Sequence, residues 1–116
     1  MLRNALSVLL LLISGCSSGG AEADLQYIKQ ARSVAAEWAM VNEQASQSKL
    51  TPTYVASMHH WLRQQLQTAS TSLTQPDSRY GVEIKALLQQ PDYVAPDELR
   101  AHVDKLKEIE DQLESA

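Results

Sequence analysis

Residues 24–49, DLQYIKQARSVAAEWAMVNEQASQSK, decide the fold. Leu25, Ile28, Ala31, Ala35, Trp38, Ala39, Asn42 and Ala45 recur at steps of three and four, which places them on one face of a helix. Tyr27, Val34 and Val41 widen that face beyond half the circumference. A surface helix needs a narrower stripe, so this one is expected to pack against two neighbours, with its alanines allowing close approach. Asn42 falls on the core side. Buried without a partner it would cost about 1–3 kcal/mol, so it either fixes register through hydrogen bonds or sits at an exposed corner.

Working outward toward the C-terminus, Thr51-Pro52 is a helix start, with Thr as N-cap and Pro at the first helical position. The helix that follows carries Val55, Met58, Leu62, Leu66, Ala69 and Leu73 as a core stripe, with Tyr54 and Trp61 on its flank. A turn at Gln75-Pro76-Asp77-Ser78 introduces a shorter helix with Tyr80, Ile84, Leu87 and Leu88 on one face, ended by Pro91. Pro96 opens a fourth, whose narrow stripe is Leu99, Val103, Leu106, Ile109 and Leu113. Its outer face is charged. The chain has no Phe and only 5% aromatic residues against 44% hydrophobic ones, supplied mostly by Ala and Leu, which favours helix over sheet. Short connections make successive helices antiparallel neighbours. The expected fold is all-α: one domain over residues 24–116, an up-down bundle of four helices with a stubby third member.

Toward the N-terminus the pattern changes. Met1-Leu2-Arg3-Asn4 is a short positive start, and Ala5 to Ile13 is an almost unbroken apolar run. Nine helical residues span about 14 Å, roughly half of a ~30 Å hydrocarbon core, too short for a stable membrane crossing. A positive start, a short apolar run and small residues are the layout of a signal peptide, residues 1–15. The small-residue position reads Ile13-Ser14-Gly15-Cys16 and resembles the lipobox of bacterial lipoproteins. The resemblance implies that Ile13, Ser14 and Gly15 are read by the signal peptidase, that Cys16 is diacylated on its sulfur, and that cleavage precedes it. Ser17, rather than Asp, after the Cys implies the periplasmic face of the outer membrane. Two or three acyl chains, each contributing about 0.8 kcal/mol per buried CH₂, form a lasting anchor. Residues 16–23 read as lipidated Cys plus flexible tether. Cys16 is the only cysteine, so an internal disulfide is impossible and the domain must be stable through packing alone.

The chain carries a formal charge of −4; without Arg3, nine Lys and Arg face fourteen Asp and Glu, giving −5. Such a domain is a poor fit for nucleic acid or for attraction to anionic lipid by charge. His59 and His60 point about 100° apart on a helix, and Arg63 occupies the next matching step, so a metal site is not expected there. His102 reads as a boundary residue. No nucleophile elbow, zinc-protease motif or phosphate loop is present, so no catalytic residue, cofactor or small-molecule substrate is assigned.

The remaining candidate site is aromatic. If the first two helices fold back around Leu50, Trp38 comes level with Trp61, and Tyr54 lies beside Trp61. These three could line a groove for an apolar segment of an envelope partner, because Trp and Tyr are common interface anchors. The competing reading is that a later helix covers them. In anchor and size the chain is similar to helical pilotins, lipoproteins that hold a secretin segment in a groove. The likeness implies an interaction module. The major murein lipoprotein offers a structural alternative, but it is one unbroken heptad helix ending in a Lys, whereas this chain is broken by prolines and ends Glu114-Ser115-Ala116.

Overall fold

The computed structural model describes residues 20–116. Cys16, Ile13, Ser14, Gly15 and the apolar run before them lie outside the described residues. Among the described residues there are four helices and no strand: α1 (Ala21–Ser46), α2 (Pro52–Thr71), α3 (Arg79–Leu88) and α4 (Pro96–Glu114). None of them is long and apolar enough to cross a membrane.

The first helix begins three residues earlier than the periodicity predicts, so residues 21–23, expected in the tether, are helical. Ala21 and Ala23 are strong helix formers, and Glu22 and Asp24 place negative charge in the first turn, where the helix dipole favours it. The helix ends three residues before Lys49. Ser48 adopts a left-handed conformation (φ 57°), its N–H donates to Ala45 O and that of Lys49 donates to Gln44 O, each at 3.0 Å. These two bonds satisfy the last carbonyls of α1 in a Schellman arrangement with Ser in place of the usual Gly.

The expected start of α2 is present: Thr51 is extended, its hydroxyl accepts from the Tyr54 N–H, and Pro52 follows. Ser78 caps α3 in the same way through the Gly81 N–H. Gly81 is needed for a second reason. A Cβ there would lie 2.2 Å from the Pro76 carbonyl oxygen, so only glycine lets α3 pack so close to the turn that introduces it.

The bundle is organised around α1, which packs against the other three helices. Its broad apolar face is the cause: Ile28, Ala31, Ala35, Trp38 and Ala39 are all but fully buried. Cross-helix pairs show the directions. Gln30 meets Gln65 and Asn42 meets His59 across α1 and α2, while Arg32–Glu110 and Glu43–Arg100 join α1 to α4, so both neighbours run antiparallel to α1. α2 and α4 do not pack against each other. They flank α1, and short α3 bridges them along one side. The core unites Ile28, Leu62, Leu66, Ile84, Leu87, Leu99 and Leu106 from all four helices.

Candidate functional site

The richest polar cluster lies where the 89–95 connection between α3 and α4 crosses α1 and α2. Trp38 Nε1 donates to Asp92 O at 2.8 Å, and Asn42 Nδ2 donates to Asp92 O at 3.0 Å and Val94 O at 2.8 Å. With the Asn42 amide nitrogen committed to two carbonyls, its Oδ1 faces His59 Nε2 at 2.7 Å. His59 must therefore carry its proton on Nε2 and donate. Arg63 completes the clasp. Its Nε donates to Asp92 Oδ1 at 2.6 Å, its Nη1 to Leu88 O at 3.0 Å and its Nη2 to Gln90 O, while its guanidinium carbon stands 5.0 Å from the Trp38 ring centroid. The Tyr93 ring meets His59 edge-on at 4.9 Å. Asn42 is thus a satisfied, register-fixing residue. The cluster holds backbone carbonyls and uses up its donors in doing so.

Burial holds the His59 imidazole below its ordinary value of 6.5; the Arg63 charge adds to that, and Asp92 opposes it. His59 is 3% exposed, so its proton is resisted in the folded state and accepted in the unfolded one. The stability associated with neutral His59 is present above pH 6.5 and is lost as pH falls through the depressed folded value. Urea midpoints of the parent protein are expected to fall between pH 7.5 and pH 5 more steeply than those of His59→Gln, which keeps a side-chain N–H for Asn42. His60 and His102 are common to both proteins, so the difference isolates His59.

A second buried polar centre closes the opposite end. The Asp24 carboxylate is 0% exposed and accepts from Thr74 N–H at 2.7 Å, Gln75 N–H at 3.0 Å and the Tyr80 hydroxyl at 2.6 Å. Burial alone would raise its pKa; the bonds from Thr74, Tyr80 and Gln75 outweigh that, and the group lies below 3.8. Burial, followed by the bond to Asp24, pushes Tyr80 up from 10.0.

Two further features have structural explanations. Glu110, Asp111 and Glu114 bring carboxylate oxygens within 4.8 Å of one another, the spacing of a cation site. Three cations already neutralise them: Arg32 and Lys107 on Glu110, Lys107 on Asp111, and Lys29 on Glu114. A surface cleft of about 480 Å³ between α3 and α4 is lined by Val82 and Ile109 together with Asp77, Arg79, Glu83, Lys105 and Glu108. Its charges are of both signs, three carboxylates against two cations.

The aromatic residues singled out from sequence separate. Trp38 is 1% exposed and covered by the 89–95 connection, whereas Trp61 is 46% and Tyr54 50% exposed on α2. A groove with Trp38 as one wall is therefore not formed. The cover comes from a loop rather than from a third or fourth helix, because the indole N–H finds its acceptor in the Asp92 carbonyl. His59 is buried and His60, its neighbour about 100° round the helix, is exposed; His102 is half-buried against Glu83. Asp24, Arg63 and Asp92 were missed. For Asp24 a signal exists: it stands four residues before Ile28, on the ladder 24, 28, 31, 35. Compared with known proteins, the chain matches no family model, and comparison with curated sequences and with solved structures yields no significant match.

Proposed function

We propose that this chain is a bacterial lipoprotein, a non-catalytic accessory module anchored through lipid on Cys16 at the periplasmic face of the outer membrane. The observation that carries the reading is the junction of two features. The Ile13-Ser14-Gly15-Cys16 lipobox ends at Cys16, and the first helix of the bundle opens at Ala21, five residues on. Among the described residues the core draws on all four helices, from Ala21 in the first turn of α1 to Leu113 near the end of α4, all of them beyond the proposed cleavage point. The non-catalytic part rests on how the buried Asp24, His59 and Glu110 are spent: each is held by structural hydrogen bonds or ion pairs within the bundle. A pilotin-like groove built on Trp38 is no longer supported, which leaves the accessory class without a named client.

Cys16→Ser tests the anchor. In the parent strain the chain is expected to take up a labelled fatty acid, to run smaller than its precursor and to fractionate with outer membranes. The variant is expected to take up no label and to keep its precursor size. Equal size and equal label in both proteins would overturn the reading.

A further inference from the structure

Charge is distributed unevenly over the four helices. Seven of the fourteen acids lie on α4, from Asp97 to Glu114, and none lies on α2; the chain runs from Glu43 to Asp77 without an acidic residue. Arg63 is the only Lys, Arg, Asp or Glu on α2. The outward face of this helix shows Tyr54 and Trp61, seven residues apart on one side, with the uncharged Ser57, Gln64 and Thr68 beside them. α4 sits across α1 from it, so the acid-rich and acid-free helices occupy separate sides of the bundle.

Resting on the lipid-anchored reading, we infer that the α2 face bearing Tyr54 and Trp61 lies against the bilayer that holds Cys16, leaving acidic α4 turned away. Three arguments choose a bilayer as the occupant. Trp and Tyr are the side chains that settle at the headgroup level, where an apolar ring and a polar tip are both satisfied. An acid-free face approaches anionic headgroups without the repulsion that the α4 face would meet.

The third argument is reach. From Cys16 to Gly20 the chain spans at most about 13–14 Å. With α2 on the surface, one interhelical spacing of about 8–10 Å plus a helix radius of about 5–6 Å puts α1 some 13–16 Å above the lipid. Fully extended, the tether reaches the lower end of that range, so the bundle can lie down on α2 where the helices pack closely. Two aromatic contacts are too weak to recruit a free domain, but anchoring makes the contact intramolecular, at an effective concentration near the millimolar range.

The test couples residues 16–116, which contain all four helices and every core residue named above, through the Cys16 thiol to a maleimide-headgroup lipid in phosphatidylethanolamine–phosphatidylglycerol vesicles. Because the anchor is chemical, the result does not depend on whether cells lipidate Cys16, and the two readings fail separately. Trp61 emission, taken as the difference between the parent and Trp61→Ser, is expected to shift to the blue and to fall at least about twofold when the acyl chains are brominated, since an interfacial indole meets the upper chains. Gln64→Glu with Thr68→Glu is expected to reverse both changes, while the same chain with Cys16 blocked shows neither. Trp61 emission insensitive to brominated lipid in the coupled protein would overturn the inference. So would a blue shift that grows with protein density on unbrominated vesicles, because a second copy would then be covering α2.

Discussion

Replacing Asp24 with alanine is expected to cost roughly 3–5 kcal/mol, since two backbone N–H groups and a phenol lose a charged acceptor in a site closed to water. For a domain of this size that lowers the thermal midpoint by about 12–40 °C, at 4–8 °C per kcal/mol. The loss arises because Asp24, from the first turn of α1, holds Thr74 and Gln75 in the turn before α3 and Tyr80 within it, across fifty or more residues of sequence. Asp24→Asn keeps an acceptor oxygen but turns an N–H₂ toward donors, so its cost falls between the two. The pH dependence separates charge from shape. With its folded pKa below 3.8, Asp24 contributes stability that is complete above pH 3.8 and disappears as pH falls through the folded value. Chemical denaturation at pH 7 and pH 3 is expected to show that acid loss in the parent and to show it reduced in Asp24→Asn. An Asp24→Ala protein as stable as the parent would mean that the turn holds its own shape.

The apolar ladder was readable because each of its residues is judged against neighbours one turn away. Ile28, Ala31, Ala35, Leu62, Leu66, Leu99 and Leu106 are buried where their spacing puts them, and Thr51 and Pro52 announce α2 by chemistry confined to three residues. Asp24, Asn42 and Arg63 escaped for the opposite reason. Their partners are loop carbonyls and N–H groups that every residue possesses, reached over 25 to 52 residues of sequence, so no residue type marks them. An acid at a ladder position defaults to solvent in any pattern reading. It goes inside here because three donors converge on it. The same blindness affects Trp38. A wheel counts its area and cannot see the carbonyl that its N–H requires.

The two buried polar centres do related work at opposite ends of α1. Near its start, a carboxylate collects donors from the turn before α3. Near its end, Trp38 and Asn42, with Arg63 of α2, collect carbonyls from the last residue of α3 and the connection after it, while His59 holds the Asn42 amide. α3 is only 10 residues long, too short to be stable alone, and both of its flanking connections are fastened to the longer helices. This explains how a chain with no disulfide and no Phe keeps a stubby third helix in place.

Trp38→Ala is the sharpest test of that arrangement. Removing a fully buried Trp costs about 3–5 kcal/mol through lost contacts and the cavity left behind. Here it also takes one of the two donors from the Asp92 carbonyl and the ring beneath Arg63. Trp38→Phe is expected to lose about 1 kcal/mol, because the ring volume and the cation contact largely remain while the N–H does not. The distinguishing measurement is amide hydrogen exchange at Val94. Its N–H donates to Pro91 O inside the 89–95 connection, and Val94 itself is buried. In Trp38→Ala, exchange at Val94 is expected to accelerate further than global destabilisation requires, while amides in the middle of α4 follow the global change alone. Uniform acceleration would show that Trp38 supports the core as a whole and that the connection is held by Asn42 and Arg63 without it.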